Sequence, residues 1–273
     1  MEAVLSDDMV LQEGISHFSS CRNIAQGAVF IVASGSSAKD FPIEQFADVP
    51  MITLNGAIAM FADTAIDPFF YVCSDTSFRL HKPHLYALAM QRSQRVALWG
   101  GEIDQLTTAP AGAVYALSKA KDQSLLASAL NRESHYVRSR VLWNKRARSI
   151  GFSKDMQHGF FDARTVAYAA LQLAYHVGFT KVFMVGVDLN QAGGRFYENT
   201  FTYQAPCGLD AHFERRILPS MKLMAKTVMG EDFAVYNLSA NSRIPGSVIP
   251  KVDLEQVRAI LADDSRDQAF NAA

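Results

Sequence analysis

Short apolar runs, each long enough for one buried strand and each followed by a polar or glycine residue, recur along this chain with helical patterns between them. The clearest are 28–33, 51–54, 69–73, 96–99, 181–187 and 233–238. They are rich in β-branched and aromatic residues and continuously apolar, as expected of strands covered on both faces. Between them, 163–177 carries Val166, Ala170, Leu173 and Val177 at helical spacing on one face. Residues 209–229 form a second helical pattern, which Pro219 should kink or split. Strands alternating with helices predict an α/β fold: a Rossmann-like, mostly parallel sheet with helices on both faces.

The 273 residues suit a single domain over 1–273. Residues 101–155 break the rhythm. They open with a Thr/Ala/Pro/Gly loop and then turn basic, from Arg132 to Lys154, and read as a basic helical insertion or lid. The tail from Asp263 reads as frayed. A net charge of -1 provides no global field for nucleic acid, so no nucleic-acid partner is expected. Three widely spaced cysteines (Cys21, Cys73, Cys207) fit neither a zinc site nor a disulfide scaffold and point to a reducing compartment. Without a signal-like segment or a long apolar span, the expectation is a soluble cytoplasmic protein. Leu142 and Trp143 among the basic residues allow a peripheral contact with an anionic membrane surface.

In open α/β sheets ligands bind beyond the carboxyl ends of the strands, so the residues there are the candidate site. After the first core strand comes Ser34-Gly35-Ser36-Ser37. It is a small-residue loop whose N–H groups and hydroxyls suit a phosphate, although a plain tight turn fits equally. It is neither a dinucleotide fingerprint nor a P-loop. Asn55 and Gly56 follow the second strand, where Asn also suits a turn. Asp75 follows the third, as a substrate contact or a helix cap. Asp188 and Asn190 follow the fifth; Asp-x-Asn admits a metal, but no partner cluster supports one, so none is expected. His212, beside Glu214 and Arg215, is a candidate general base, whereas His176 within the helix reads as structural.

Seven blocks then occur in order: 54–57, 68–75, 165–175, 186–189, 195–197, 217–219 and 236–239. Together they resemble the lipopolysaccharide core biosynthesis family that adds a third Kdo (3-deoxy-octulosonate) residue to the inner core. The resemblance spans Val29 to Pro250 and is least clear over 101–155. More distantly, the plan is similar to the bacterial sialyltransferases that use CMP-sialic acid, another activated 2-keto-3-deoxy sugar acid.

The resemblance implies an inverting glycosyltransferase moving Kdo from CMP-Kdo to an anionic inner-core acceptor at the inner membrane's cytoplasmic face. It implies no cofactor beyond the donor substrate. His212 takes the place of the sialyltransferase base, with Asp75 the runner-up catalytic residue. Ser34, Gly35, Ser36, Ser37, Asn55, Thr165, Asp188, Tyr197, Asn241 and Ser242 are the expected nucleotide-sugar contacts, Tyr197 replacing tyrosines that the sialyltransferases carry nearer the strand. Arg138, Arg140 and Arg146 are the expected acceptor contacts. The alternatives are a transferase of another CMP-nonulosonate, a non-catalytic nucleotide-binding scaffold for core assembly and, on fold alone, a Rossmann oxidoreductase.

Overall fold

In a computed structural model of the chain, residues 14–121, 135–139, 148–190, 193–198 and 208–271 are described. The apolar runs become strands: β1 (Ile15–Ser16), β2 (Ala28–Val32), β3 (Met51–Leu54), β4 (Phe70–Val72), β5 (Arg95–Trp99), β6 (Ala113–Leu117), β7 (Tyr136–Arg138), β8 (Gly151–Ser153), β9 (Lys181–Val185) and β10 (Ala234–Asn237). The helices are α1 (Phe78–His81), α2 (Pro83–Arg92), α3 (Gly100–Ile103), α4 (Val166–Val177), α5 (Leu209–His212), α6 (Leu218–Thr227) and α7 (Leu254–Asn271).

Among the described residues, eight strands form one sheet in the order β1-β6-β5-β4-β3-β2-β9-β10. Adjacent strands run parallel throughout. The period of two in a strand divides its side chains between two cores. Val29 and Ile31 of β2, and Val182 and Met184 of β9, face α4. Phe30, Val32, Phe183 and Val185 face the other way, toward α2 and α7. Burial on both faces explains why these strands read as unbroken apolar runs rather than as alternating ones.

Helix α4 is buried far beyond one stripe: Ala167 to Ala174, His176 and Val177 are all inaccessible. The sheet covers one side and β8 packs on another, while the Tyr168 hydroxyl donates to the Ser220 carbonyl oxygen of α6 at 3.1 Å. The helix stops at Gly178, whose φ of 107° is the left-handed terminator that glycine adopts without a Cβ penalty. Its one buried amide is fully used. Gln172 Oε1 accepts from the N–H groups of Ser153 (2.8 Å) and Phe161 (2.9 Å). Its Nε2 donates to the carbonyl oxygens of Phe161 (3.1 Å) and Tyr168 (3.0 Å). One side chain thus holds the 151–162 segment on the helix.

The segment expected as an insertion contributes to the sheet itself, since β6 lies within it and pairs with β5 over five residues. The β7–β8 hairpin, antiparallel and outside the main sheet, also comes from it. The sequence reading missed β6 because Ala113-Val114-Tyr115-Ala116-Leu117 follows a loop and carries two small alanines that weaken the apolar signal. At the other end, α7 runs on through Asn271, past the start of the expected tail.

Pro219 has the effect expected of it. Between α5 and α6 the chain forms a π-helical turn, Phe213–Ile217, and Pro219 sits in the first turn of α6. A proline lacks the N–H that an α-turn needs and crowds the preceding turn; the wider π-turn relieves both.

Candidate functional site

The strand order reverses between β2 and β9. From β2 the chain moves outward through β3, β4, β5 and β6, then returns to lay β9 on the other side of β2. That switch point is where an open α/β sheet leaves a crevice. A cleft of about 950 Å³ opens there, ample for a nucleotide sugar with room to spare.

The loop after β2 is joined to the loop after β9. Gly35 N–H donates to the Gly186 carbonyl oxygen at 3.0 Å, and Ser37 N–H donates to Asp188 Oδ2 at 3.0 Å. The hydroxyls of Ser36 (3.4 Å) and Ser37 also donate to the Asp188 carboxylate, and Ser37 Oγ lies 2.7 Å from Ser239 Oγ. Gly35 must be glycine, because an added Cβ would overlap the Gly186 carbonyl oxygen and the Asp188 carboxylate. The N–H groups of Gly35 and Ser37 therefore serve the protein itself. Within the loop, Ser34 and Gly35 are the residues that border the cleft.

The other predicted positions divide. Asn55, Asp75, Thr165, Asp188 and His212 line the cleft with Ser34 and Gly35. Ser36, Ser37, Tyr197, Asn241, Ser242 and Arg138 are not on its wall. Arg140 and Arg146, with Leu142, Trp143 and Cys207, lie outside the described residues.

Each lining residue has a distinct setting. Asn55 sits at φ 46°, the left-handed conformation that Asn tolerates. Its Oδ1 is buried without a hydrogen-bond partner among the described residues, an acceptor at the cleft wall. Asp75 Oδ1 accepts from the N–H (2.9 Å) and hydroxyl (2.7 Å) of Ser77, so this carboxylate orders the turn into α1. Thr165 is the N-cap of α4, yet its side chain makes no capping hydrogen bond. Its hydroxyl stands beside the N-terminus of a 12-residue helix whose first residues, Val166 and Ala167, also line the cleft. Backbone N–H groups and the helix dipole favour an anion at such an end. His212 ends α5, immediately before the π-turn. Arg243 pairs with Asp210 of α5, while its own N–H donates to the Asp188 carbonyl oxygen at 3.0 Å. The His212 helix is thereby tethered to the β9 end.

The off-wall positions have structural partners. Tyr197 lies under the cleft, its ring against Gly56, where a Cβ would collide with it. Burial pushes its hydroxyl up to about 12, opposed by Arg195 and by a hydrogen bond with Ser34, so it is a neutral donor at physiological pH. Ser242 Oγ donates to the Val187 carbonyl oxygen at 2.7 Å and is buried, while Asn241 is exposed on the adjoining turn. Arg138 packs its guanidinium on the rings of Tyr136 (4.7 Å) and Phe161 (4.8 Å) and donates to the Lys121 carbonyl oxygen. His176 is structural: Nδ1 accepts from Met156 N–H at 3.2 Å, and Nε2 faces the Phe18 carbonyl oxygen at 2.7 Å.

Sequence reasoning did not single out Trp99, Lys119, Phe160, Asp162 and Arg164, which line the far part of the cleft. A signal existed for two of them. Trp99 closes β5, and Lys119 follows β6 by two residues, a strand end hidden by the insertion reading. Burial works against the charge of Asp162, but Lys119 Nζ at 2.9 Å and the Arg164 N–H outweigh it and lower its pKa. Among the described residues no group of three His, Cys, Asp or Glu side chains converges as a metal site. Nor is any described helix long and apolar enough to cross a membrane.

The model of the family 3-deoxy-D-manno-octulosonic acid transferase WaaZ matches residues 123–255. A probable 3-deoxy-manno-octulosonic acid transferase of Escherichia coli K12 is 26% identical over 263 residues, covering 88% of this chain and 86% of that protein. Its counterpart in Salmonella typhimurium LT2 is 24% identical over 250 residues, covering 83% and 87%. Among solved structures, the MAf glycosyltransferase from Magnetospirillum magneticum AMB-1 superposes with a TM-score of 0.51 at 14% identity. That match covers 90% of this chain but only 38% of the larger protein, and it speaks for the fold alone. On a glycosyltransferase-like α/β fold, the chain thus resembles the Kdo transferases of the WaaZ family.

Proposed function

We propose that this protein is an inverting glycosyltransferase that moves Kdo from CMP-Kdo to the inner core of lipopolysaccharide. The observation that carries the reading is convergence: Ser34, Asn55, Thr165, Asp188 and His212, from five separate parts of the chain, meet in one cleft at the switch point of the sheet. The relatives named as probable Kdo transferases support the sugar, and the fold supports the class of reaction.

In this reading an acceptor hydroxyl oxygen attacks the anomeric carbon of Kdo. The bond from that carbon to the CMP phosphate oxygen breaks, and CMP leaves with the electron pair. The hydroxyl proton passes to His212, with Asp75 as the second candidate base. Negative charge grows on the leaving phosphate, which the Thr165 hydroxyl and the N-terminus of α4 at the cleft wall would stabilise. The Ser34 hydroxyl at the cleft wall adds a donor. The buried Asn55 Oδ1 supplies an acceptor for an N–H or O–H of the nucleotide or sugar. Asp188 contributes by holding the Ser34–Ser37 loop closed. The transfer needs no metal, and the acceptor is met by peripheral contact at the inner membrane's cytoplasmic face.

The decisive experiment is a transfer assay with purified protein, CMP-Kdo and a Kdo-terminated inner-core acceptor. The expected result is transfer with inverted anomeric configuration that persists in EDTA. Transfer from CMP-sialic acid but not from CMP-Kdo moves the donor to another nonulosonate. CMP binding without any turnover replaces the enzyme with a scaffold, and activity lost in EDTA and restored by magnesium overturns the metal-free step.

A further inference from the structure

The part of the cleft beyond β5 and β6 has a chemistry of its own. The Trp99 indole Nε1 donates to the Ser74 carbonyl oxygen at 2.9 Å, which fixes the plane of the ring. Phe160 packs beside it with ring centroids 5.5 Å apart. Lys119 Nζ lies 5.6 Å from the Trp99 ring centroid and 2.9 Å from Asp162 Oδ2, with its side chain still 54% exposed. Asp162 Oδ1 accepts from Arg164 N–H at 2.8 Å, and Arg164 is held at φ 65° with its side chain exposed. An arginine in the left-handed region carries conformational strain, a condition that clusters at ligand sites.

Lys119 and Arg164 bring two cations to this end of the cleft beside a fixed aromatic surface, with Asp162 between them and Asp75 on the neighbouring strand end. A sugar acid is complementary to both features. The C–H face of its ring packs on an indole, and its anionic group pairs with an ammonium or a guanidinium. The proposed donor contacts lie at the β2–β9 loops and the start of α4, and the cleft is larger than one nucleotide sugar needs.

We infer that Trp99, Lys119 and Arg164 form the acceptor subsite and recognise an anionic sugar at the end of the acceptor chain. The inference rests on the glycosyltransferase reading and locates its second substrate. It puts acceptor recognition on the cleft wall rather than on Arg138, whose guanidinium is packed between Tyr136 and Phe161.

The test uses the full chain and two probes: CMP for the donor end, and a deacylated, Kdo-terminated inner-core oligosaccharide for the acceptor end. Titration calorimetry should show Lys119→Gln and Arg164→Gly each weakening the oligosaccharide about tenfold, with CMP affinity unchanged. Retained CMP binding also certifies that each variant is folded. The chain has two tryptophans, Trp99 and Trp143. In a Trp143→Phe background, Trp99 emission should therefore respond to the oligosaccharide. Variants that bind the oligosaccharide like the parent overturn the subsite while leaving the transferase reading intact. Equal loss of both probes assigns these residues to the donor and overturns it as well. A parent chain that binds neither probe overturns the transferase reading and the subsite together.

Discussion

At the β2–β9 wall of the cleft, polar groups are turned inward on one another: Ser36 and Ser37 donate to Asp188, and Gly35 donates to Gly186. At the β5–β6 wall, Trp99, Lys119 and Arg164 present an aromatic surface and cations outward, tied back through Ser74, Phe160 and Asp162. Asp188 is 8% exposed, whereas the Lys119 side chain is 54% exposed. The first wall is pre-organised by buried hydrogen bonds that folding itself has to satisfy. The second is a part-exposed surface whose Lys119–Asp162 pair is screened by water. Substitutions in the first wall are therefore expected to disturb folding, and those in the second to disturb it little.

The largest expected effect lies in the chemistry between the two walls. His212→Ala should lower the transfer rate at saturating substrate by about 10²–10⁴-fold while leaving CMP affinity unchanged. A folded variant with near-normal turnover passes the role of base to Asp75. Next is the scaffold beneath the second wall. Gln172→Leu leaves the Ser153 and Phe161 N–H groups buried without an acceptor and should cost about 2–4 kcal/mol in a urea unfolding curve. A loss well below this range would mean that the 151–162 segment is held by other contacts.

Asp188→Ala opens the first wall. It should cost about 2–3 kcal/mol and weaken CMP binding in the same protein, because the Ser36 and Ser37 donors lose their shared acceptor. Lys119→Gln is the matched change in the second wall and should shift stability by less than about 1 kcal/mol. If these two substitutions shift the unfolding midpoint equally, the contrast between the walls fails.

The smallest effect is set by pH. Burial lowers the pKa of His176 beneath the ordinary 6.5, against the pull of the Phe18 carbonyl and Asp155. The unfolded chain then binds a proton more readily than the native one, so this contribution is complete above 6.5 and is lost as pH falls through the folded value. Asp162 has the same sign at lower pH: its contribution is complete above 3.8 and is lost as the solution is acidified through the folded value. Acid titration of the unfolding midpoint should show the first slope vanish in His176→Gln while the second persists.

Much of the local architecture is legible in the chain. The 51–54 run is β3 to the residue, and the 163–177 pattern contains α4. Pro219 marks the π-turn, and His176 reads as structural from its place within a buried helix. These features depend on neighbours in sequence, which is why periodicity and proline chemistry report them. Lys119 was missed because placing it at a strand end requires β6, a strand whose alanines weaken its apolar signal but whose position between β1 and β5 buries it.

By itself the sequence determined an α/β chain with small and polar residues at the ends of its strands, because burial and turn chemistry act over a few residues. Only the tertiary structure decided that β9 returns beside β2, bringing Asp188 to Ser37 across 151 positions of sequence. The same return decided that Gly35 and Ser37 spend their N–H groups on the protein, which left Ser34, Asn55 and Thr165 facing the cleft. Parallel pairing joins segments far apart in the chain, and its register is set by the two packed cores rather than by any local pattern.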